Sequence, residues 1–139
     1  MAKTSLAQQA SLTSIKLVKA KNKAAWLDLF ADDAIVQDPV GVSPLDPTGQ
    51  GHRGKAAIGR FFDAVAGAGD MNMEIRESYP AGDECANVAT LTNVMPNGVS
   101  INVKLVVVYR VNEAGKIVSL KAYWDFESIA DKLRAVMGQ

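Results

Sequence analysis

Cysteine and histidine are almost missing from this chain: its 139 residues include one of each, Cys85 and His52. A lone Cys85 cannot close an internal disulfide, and a single His assembles neither a His/Cys metal cage nor a Ser-His-Asp triad. An excess of charge of one sign is missing too, since Lys+Arg and Asp+Glu stand at 15 each. With no basic run interleaved with aromatics, the chain offers neither a nucleic-acid groove nor an electrostatic membrane patch. No stretch approaches the roughly 18 apolar residues of a membrane span, as even Leu105-Val106-Val107-Val108-Tyr109 stops at Arg110. Met1 to Ser5 lacks the apolar run of a secretory signal, which makes a cytoplasmic location the expectation. What is present is 48% hydrophobic and 22% charged residues, the make-up of one soluble globular domain over 1–139 with a core and room for an internal cavity.

Leu12, Ile15 and Val18 recur at helical spacing between Leu6 and about Ala20, where there is no Gly or Pro, and predict an amphipathic first helix. Trp26, Leu29 and Phe30 share a second, shorter helical face. Ile35-Val36-Gln37-Asp38 reads as a short strand ended by Pro39, which removes a ladder donor and biases Asp38 toward an extended backbone. A long loop follows from Val40 to Arg53. From about Lys55 to Ala66, Ile58, Phe61, Phe62 and Val65 fall on one face of a third helix, ended by Gly67-Ala68-Gly69.

The remainder reads mostly as strands. Met71, Met73 and Ile75 alternate with Asn72, Glu74 and Arg76, Ala81-Gly82-Asp83 turns, and Ala86 to Met95 leads to an Asn97-Gly98 hairpin signal. The returning strand places Ile101, Val103, Leu105, Val107, Tyr109 and Val111 on one face. After Asn112-Glu113-Ala114-Gly115, a last strand runs from Lys116 to Phe126, and Ile129, Leu133, Val136 and Met137 form a closing helical stripe. Helices followed by a meander of long strands imply an α+β domain: a cone-shaped, curved, mixed or antiparallel sheet packed against three N-terminal helices, with a short C-terminal helix. A pocket between sheet and helices is expected in such a cone.

Few residues carry chemistry. His52, in the polar loop, reads as a solvated surface residue, and Cys85 as a small semi-buried hydrophobe. Gly49-Gln50-Gly51-His52-Arg53-Gly54 matches GxGxxG, yet no strand runs directly into it and no second βαβ unit follows, so a Gly-rich bend accounts for it and no cofactor is expected. Asp32-Asp33 reads as a solvated bend after the second helix. Asp38 stands apart, because Asp is depleted in strands and this one shares a face with Val36. Two readings of it stay open: a desolvated carboxylate with a raised pKa, suited to act as a general base, or a cap on the turn at Pro39.

The segment from Trp26 to Gly41, centred on Phe30-Ala31-Asp32-Asp33-Ala34-Ile35-Val36-Gln37-Asp38-Pro39-Val40-Gly41, resembles the ketosteroid isomerase family. The likeness continues through Gly54-Lys55-Ala56-Ala57-Ile58 to Phe61-Phe62, and resumes at Asn112-Glu113-Ala114-Gly115-Lys116-Ile117 and Ala122-Tyr123-Trp124. It implies the cone fold of the nuclear-transport-factor-like, or SnoaL-like, superfamily, a homodimer, and a flat hydrophobic ligand. It also implies that Asp38 is the base that shuttles a proton beside a steroid carbonyl. The family's oxyanion hole, a Tyr and a protonated Asp, falls here on Ser14 and Val107, and a supporting Tyr of some members falls on Phe62. Loss of those donors favours a second function, a steroid-binding protein without turnover. A third is another reaction on the same fold, of cyclase or dehydratase type. The expected pocket surrounds Asp38 with Trp26, Phe30, Phe61, Leu105, Val107 and Trp124, and Thr90 and Thr92 supply polar contacts. Ser14, Tyr109 or the Trp124 N–H are the candidates to replace the missing donors.

Overall fold

The computed structural model describes residues 5–66 and 69–132. Two short helices lead in: α1 at Leu6–Lys19 and α2 at Lys23–Asp28. Each begins on a side-chain cap, Ser5 accepting from the Gln8 N–H and Asn22 from the Ala25 N–H, both at 3.2 Å. Such a cap contributes about 1 kcal/mol by satisfying an amide that the helix cannot. Strand β1, Phe30–Gln37, follows, then a loop, the two-residue β2 at His52–Arg53, and α3 at Gly54–Val65. Four longer strands complete the sheet: β3 at Asp70–Ala81, β4 at Glu84–Val94, β5 at Ser100–Val111 and β6 at Ile117–Tyr123. A 3-10 turn at Phe126–Ser128 leads into the short C-terminal helix, which is described to Lys132. Leu133, Val136 and Met137 of the expected closing stripe lie outside the described residues.

The sheet order is β2-β1-β6-β5-β4-β3, antiparallel throughout except for the parallel β1 and β6 pair. That pair joins the two halves of the chain: Gln37 stands opposite Lys121, and the Val40 N–H donates to the Ala122 carbonyl. The end of β1 is thereby set beside the end of β6, which positions the site described below. Pro80 lies on β3, an edge strand, where its missing N–H costs no interior ladder bond. Gly51 passes so close under β1 that an added Cβ would stand 2.7 Å from the Ile35 side chain, and its φ of +90° suits glycine. The expected α+β cone of helices on one face of a mostly antiparallel sheet is the fold observed.

Several local expectations are corrected. The buried face of α1 is Ala7, Ala10, Ser11 and Ser14, while Leu12 is exposed. Small side chains let the helix backbone approach the sheet closely, and hydropathy alone does not register that. Phe30 belongs to β1 rather than to the second helix, because it pairs with Ile117 across the parallel junction. Asp32 and Asp33 lie within β1, where its register shifts, and both are exposed. His52 is no loop residue: it pairs with Val36 in β2, stacks on Phe61 with ring centroids 4.8 Å apart, and buries its Nε2. The last strand ends at Tyr123, so Trp124 and Phe126 fall beyond it.

Candidate active site

A pocket opens between the helices and the inner face of the sheet, lined mostly by apolar side chains. Ile15 and Val18 of α1 form one wall and Phe61, Phe62 and Val65 of α3 another. The floor is sheet: Met71, Met73, Leu91, Val107, Tyr109 and Leu120. Ile15 and Val18 are only partly covered because they face this space instead of closed core. Among the described lining residues, those with hydrogen-bonding side chains are Ser14, Lys19, Trp26, Asp38 and Tyr109.

Asp38 sits just past the end of β1, at a cis peptide bond to Pro39. The residue is half-buried and lines the pocket, and its carboxylate receives a hydrogen bond from the Trp124 indole N–H, Nε1 to Oδ1 at 2.7 Å. Desolvation by the apolar surroundings pushes its pKa above the ordinary 3.8, and the bond from Trp124 opposes this only in part. The arrangement suits a proton acceptor, since a carboxylate stripped of water gains most by taking a proton.

The pocket also holds a chain of three polar side chains. Trp26 is wedged by an edge-to-face contact with Phe30 (centroids 4.6 Å apart) and a tilted one with Phe62 (5.2 Å). Held so, its Nε1 donates to Ser14 Oγ at 2.9 Å, and Ser14 Oγ lies 2.9 Å from the Tyr109 hydroxyl. Tyr109 is buried, and desolvation holds its phenol well above the usual range; the Ser14 bond opposes this, and the nearby charge of Asp38 adds a smaller upward push. It is therefore a neutral O–H at every working pH.

Of the residues picked out from sequence, Ser14, Trp26, Asp38, Phe61, Phe62, Val107 and Tyr109 are brought together around this space. Phe30 and Leu105 are buried in the core and support the pocket without lining it. Trp124 stands behind Asp38, where its single N–H is used, so it is no substitute oxyanion donor. Thr90 and Thr92 are misplaced by one residue: Cys85, Asn87 and Ala89 are the buried set of β4, Leu91 follows them into the pocket, and Thr92 bonds Asn102 at the exposed face. Leu91, Met71 and Met73 were missed as lining. The alternation of β3 marked its Met face, but Asn87 among the inward residues masked that of β4. The Asn87 Oδ1 accepts from the Ser78 hydroxyl at 2.7 Å, while its Nδ2 has no partner among the described residues. No group of three or more His, Cys, Asp or Glu among those residues is placed to hold a metal ion, and no helix there is long and apolar enough to cross a membrane.

Residues 13–120 match the SnoaL-like domain. The chain belongs to the SnoaL-like family. Solved structures place this SnoaL-like protein among steroid-related neighbours in the nuclear-transport-factor-like superfamily. RV0760c from Mycobacterium tuberculosis, in complex with estradiol-17beta-hemisuccinate, is 36% identical with a TM-score of 0.85, over 89% of this chain and 97% of its own. Delta 5-3-ketosteroid isomerase from Mycobacterium sp. is 35% identical with a TM-score of 0.85, over 89% and 96%. A computationally designed 17-OHP binder is 34% identical with a TM-score of 0.85, also over 89% and 96%.

Proposed function

We propose that this SnoaL-like protein binds a steroid or similarly flat hydrophobic ligand in its pocket and uses Asp38 as a general base on a carbon acid beside a carbonyl. Asp38 takes the proton from the carbon between carbonyl and double bond, the electron pair moves onto the carbonyl oxygen as a dienolate, and the same proton returns to the far carbon. The double bond is then conjugated, the carboxylate is regenerated, and no co-reactant is consumed. The observation that carries this reading is a desolvated carboxylate facing an apolar pocket and aligned by a single indole bond. The isomerase and the estradiol complex among the neighbours support the ligand class.

The test is turnover of a 5-ene-3-ketosteroid to its conjugated isomer, followed by ultraviolet absorbance. Wild type should turn over, and Asp38→Asn should lose about 10²- to 10⁴-fold, the usual contribution of a positioned base. A wild type that binds the steroid without converting it would replace this reading with that of a steroid carrier. One observation favours the carrier: Val107, where the family resemblance puts a protonated Asp, is buried and apolar. We place the protein as a homodimer through the outer face of the sheet, where Val106 and Tyr123 are exposed, and in the cytoplasm, consistent with its buried free thiol. Sedimentation velocity at micromolar concentration checks the dimer.

A further inference from the structure

The polar groups of the pocket can be accounted for one by one. Lys19 is an exposed residue at the last turn of α1. The indole N–H of Trp124 is held by Asp38 and that of Trp26 by Ser14. Among the described lining residues, Ser14 and Tyr109, in contact with each other, are the two that still have hydroxyl protons to place.

Satisfaction of buried donors bears on the direction of that contact. An indole N–H only donates, so Ser14 Oγ is the acceptor of the Trp26 bond. Ser14 is almost fully buried, and its own proton needs an acceptor. Ser11, one turn earlier, turns its hydroxyl back to the Gln8 carbonyl at 2.9 Å. Ser14 makes no such bond to its helix among the described contacts, and the acceptor within reach is the Tyr109 oxygen. Either hydroxyl can donate in that contact and both line the pocket; with Ser14 as the donor, the proton at the end of the chain is that of the Tyr109 phenol, which then has no acceptor among the described residues. Each donation polarises the next hydroxyl, which strengthens the last donor.

We infer that Tyr109, fed through Ser14 by Trp26, is the donor that takes the ligand's carbonyl oxygen in the pocket that Asp38 also lines, and so serves as its electrophilic catalytic residue. The inference rests on the proposed function, in which Asp38 is the base. It requires a ligand oxygen that accepts, a ketone or enone, in the part of the pocket between α1 and β5. Tyr109 lies two residues beyond Val107 on the same inward face of β5, so the donor role stays within the pocket although positions 14 and 107 do not supply it. Ser14 is a positioning residue, acting through Tyr109.

A bound 4-en-3-one steroid tests this without turnover, because the ultraviolet band of an enone moves to longer wavelength when its carbonyl accepts a hydrogen bond. The wild-type complex should show that shift. Tyr109→Phe should return the band toward its position in apolar solvent and lower turnover of the 5-ene-3-ketosteroid by about 10²- to 10³-fold, as for loss of one oxyanion donor. Ser14→Ala should reverse part of the shift and cost about tenfold, the order of one hydrogen bond. Asp38→Asn should keep the shift while losing turnover. A folded Tyr109→Phe with the wild-type band overturns the inference and leaves the base reading standing, as does a wild-type complex with no shift. A wild type that binds no steroid overturns both. If Tyr109→Phe does not fold, Ser14→Ala decides by the same band.

Discussion

The two polar groups of the pocket are built differently. In the base group, Asp38 and Trp124 are far apart in sequence but are brought together by the parallel pairing of β1 with β6, a main-chain feature. In the donor group, Trp26, Ser14 and Tyr109 come from α2, α1 and β5, and meet only through side-chain packing. The base group keeps the residues that the family resemblance expects. The donor group replaces both and moves its hydroxyl along a strand. Inward positions recur every second residue in a strand, so a polar group can relocate by two and still face the same space, whereas a shift of one carries it outside. A site held by side chains tolerates such a move more readily than one fixed by a strand junction.

The largest test of this contrast is Asp38→Asn, which should lower turnover by about 10²- to 10⁴-fold while raising stability at neutral pH. The sign follows from its raised pKa: burial disfavours the charged form, so stability is fullest below the ordinary pKa of 3.8 and falls as pH rises through the folded value. Melting temperatures of the variant and wild type should therefore differ at pH 7 and converge near pH 3. Next in size is Trp26→Phe, which removes the first donor of the chain and leaves a gap between Phe30 and Phe62. Denaturant unfolding should report a loss of about 1–3 kcal/mol, with the pH profile of turnover unmoved.

Trp124→Phe probes the base group more gently. Its bond lowers the Asp38 pKa, so removing it should move the midpoint of the rising limb of kcat/KM to higher pH. Tyr109→Phe should leave that limb rising with pH. The smallest effect is expected from His52→Gln, outside both groups. Burial, helped by Arg60 and opposed by Asp46, keeps His52 below its ordinary pKa of 6.5. Its contribution to stability is present above that value and is lost as pH falls through it toward the lower folded pKa, so the stability of the variant should fall less between pH 7 and 5 than that of wild type, with ligand binding unchanged.

Much of this was readable in advance. The inward face of β5, the stripe of α3 and the singular Asp38 all follow from periodicity and from an acid where strands avoid one. The face of α1 was not, because Ala7, Ala10, Ser11 and Ser14 are buried for their size, and hydropathy ranks Leu12 above them. Parity in β4 was lost because Asn87 points inward and Val88 does not, reversing the usual contrast between faces. His52 became half-buried only through β2 pairing on β1 and the Phe61 ring, long-range contacts without a local signature. The Trp26–Ser14–Tyr109 chain is of the same kind: each residue was named, but their meeting depends on how closely α1 and α2 approach the sheet.

The chain has two tryptophans, and the fold assigns one indole to the Ser14–Tyr109 pair and the other to Asp38. The protein therefore carries its own pair of optical reporters. Emission from Trp26 will respond to what fills the space beside Ser14 and Tyr109, and emission from Trp124 to whether the carboxylate it touches holds a proton. Trp26→Phe and Trp124→Phe each leave a single fluorophore, so ligand arrival and proton transfer can be watched separately in the same molecule without any added label.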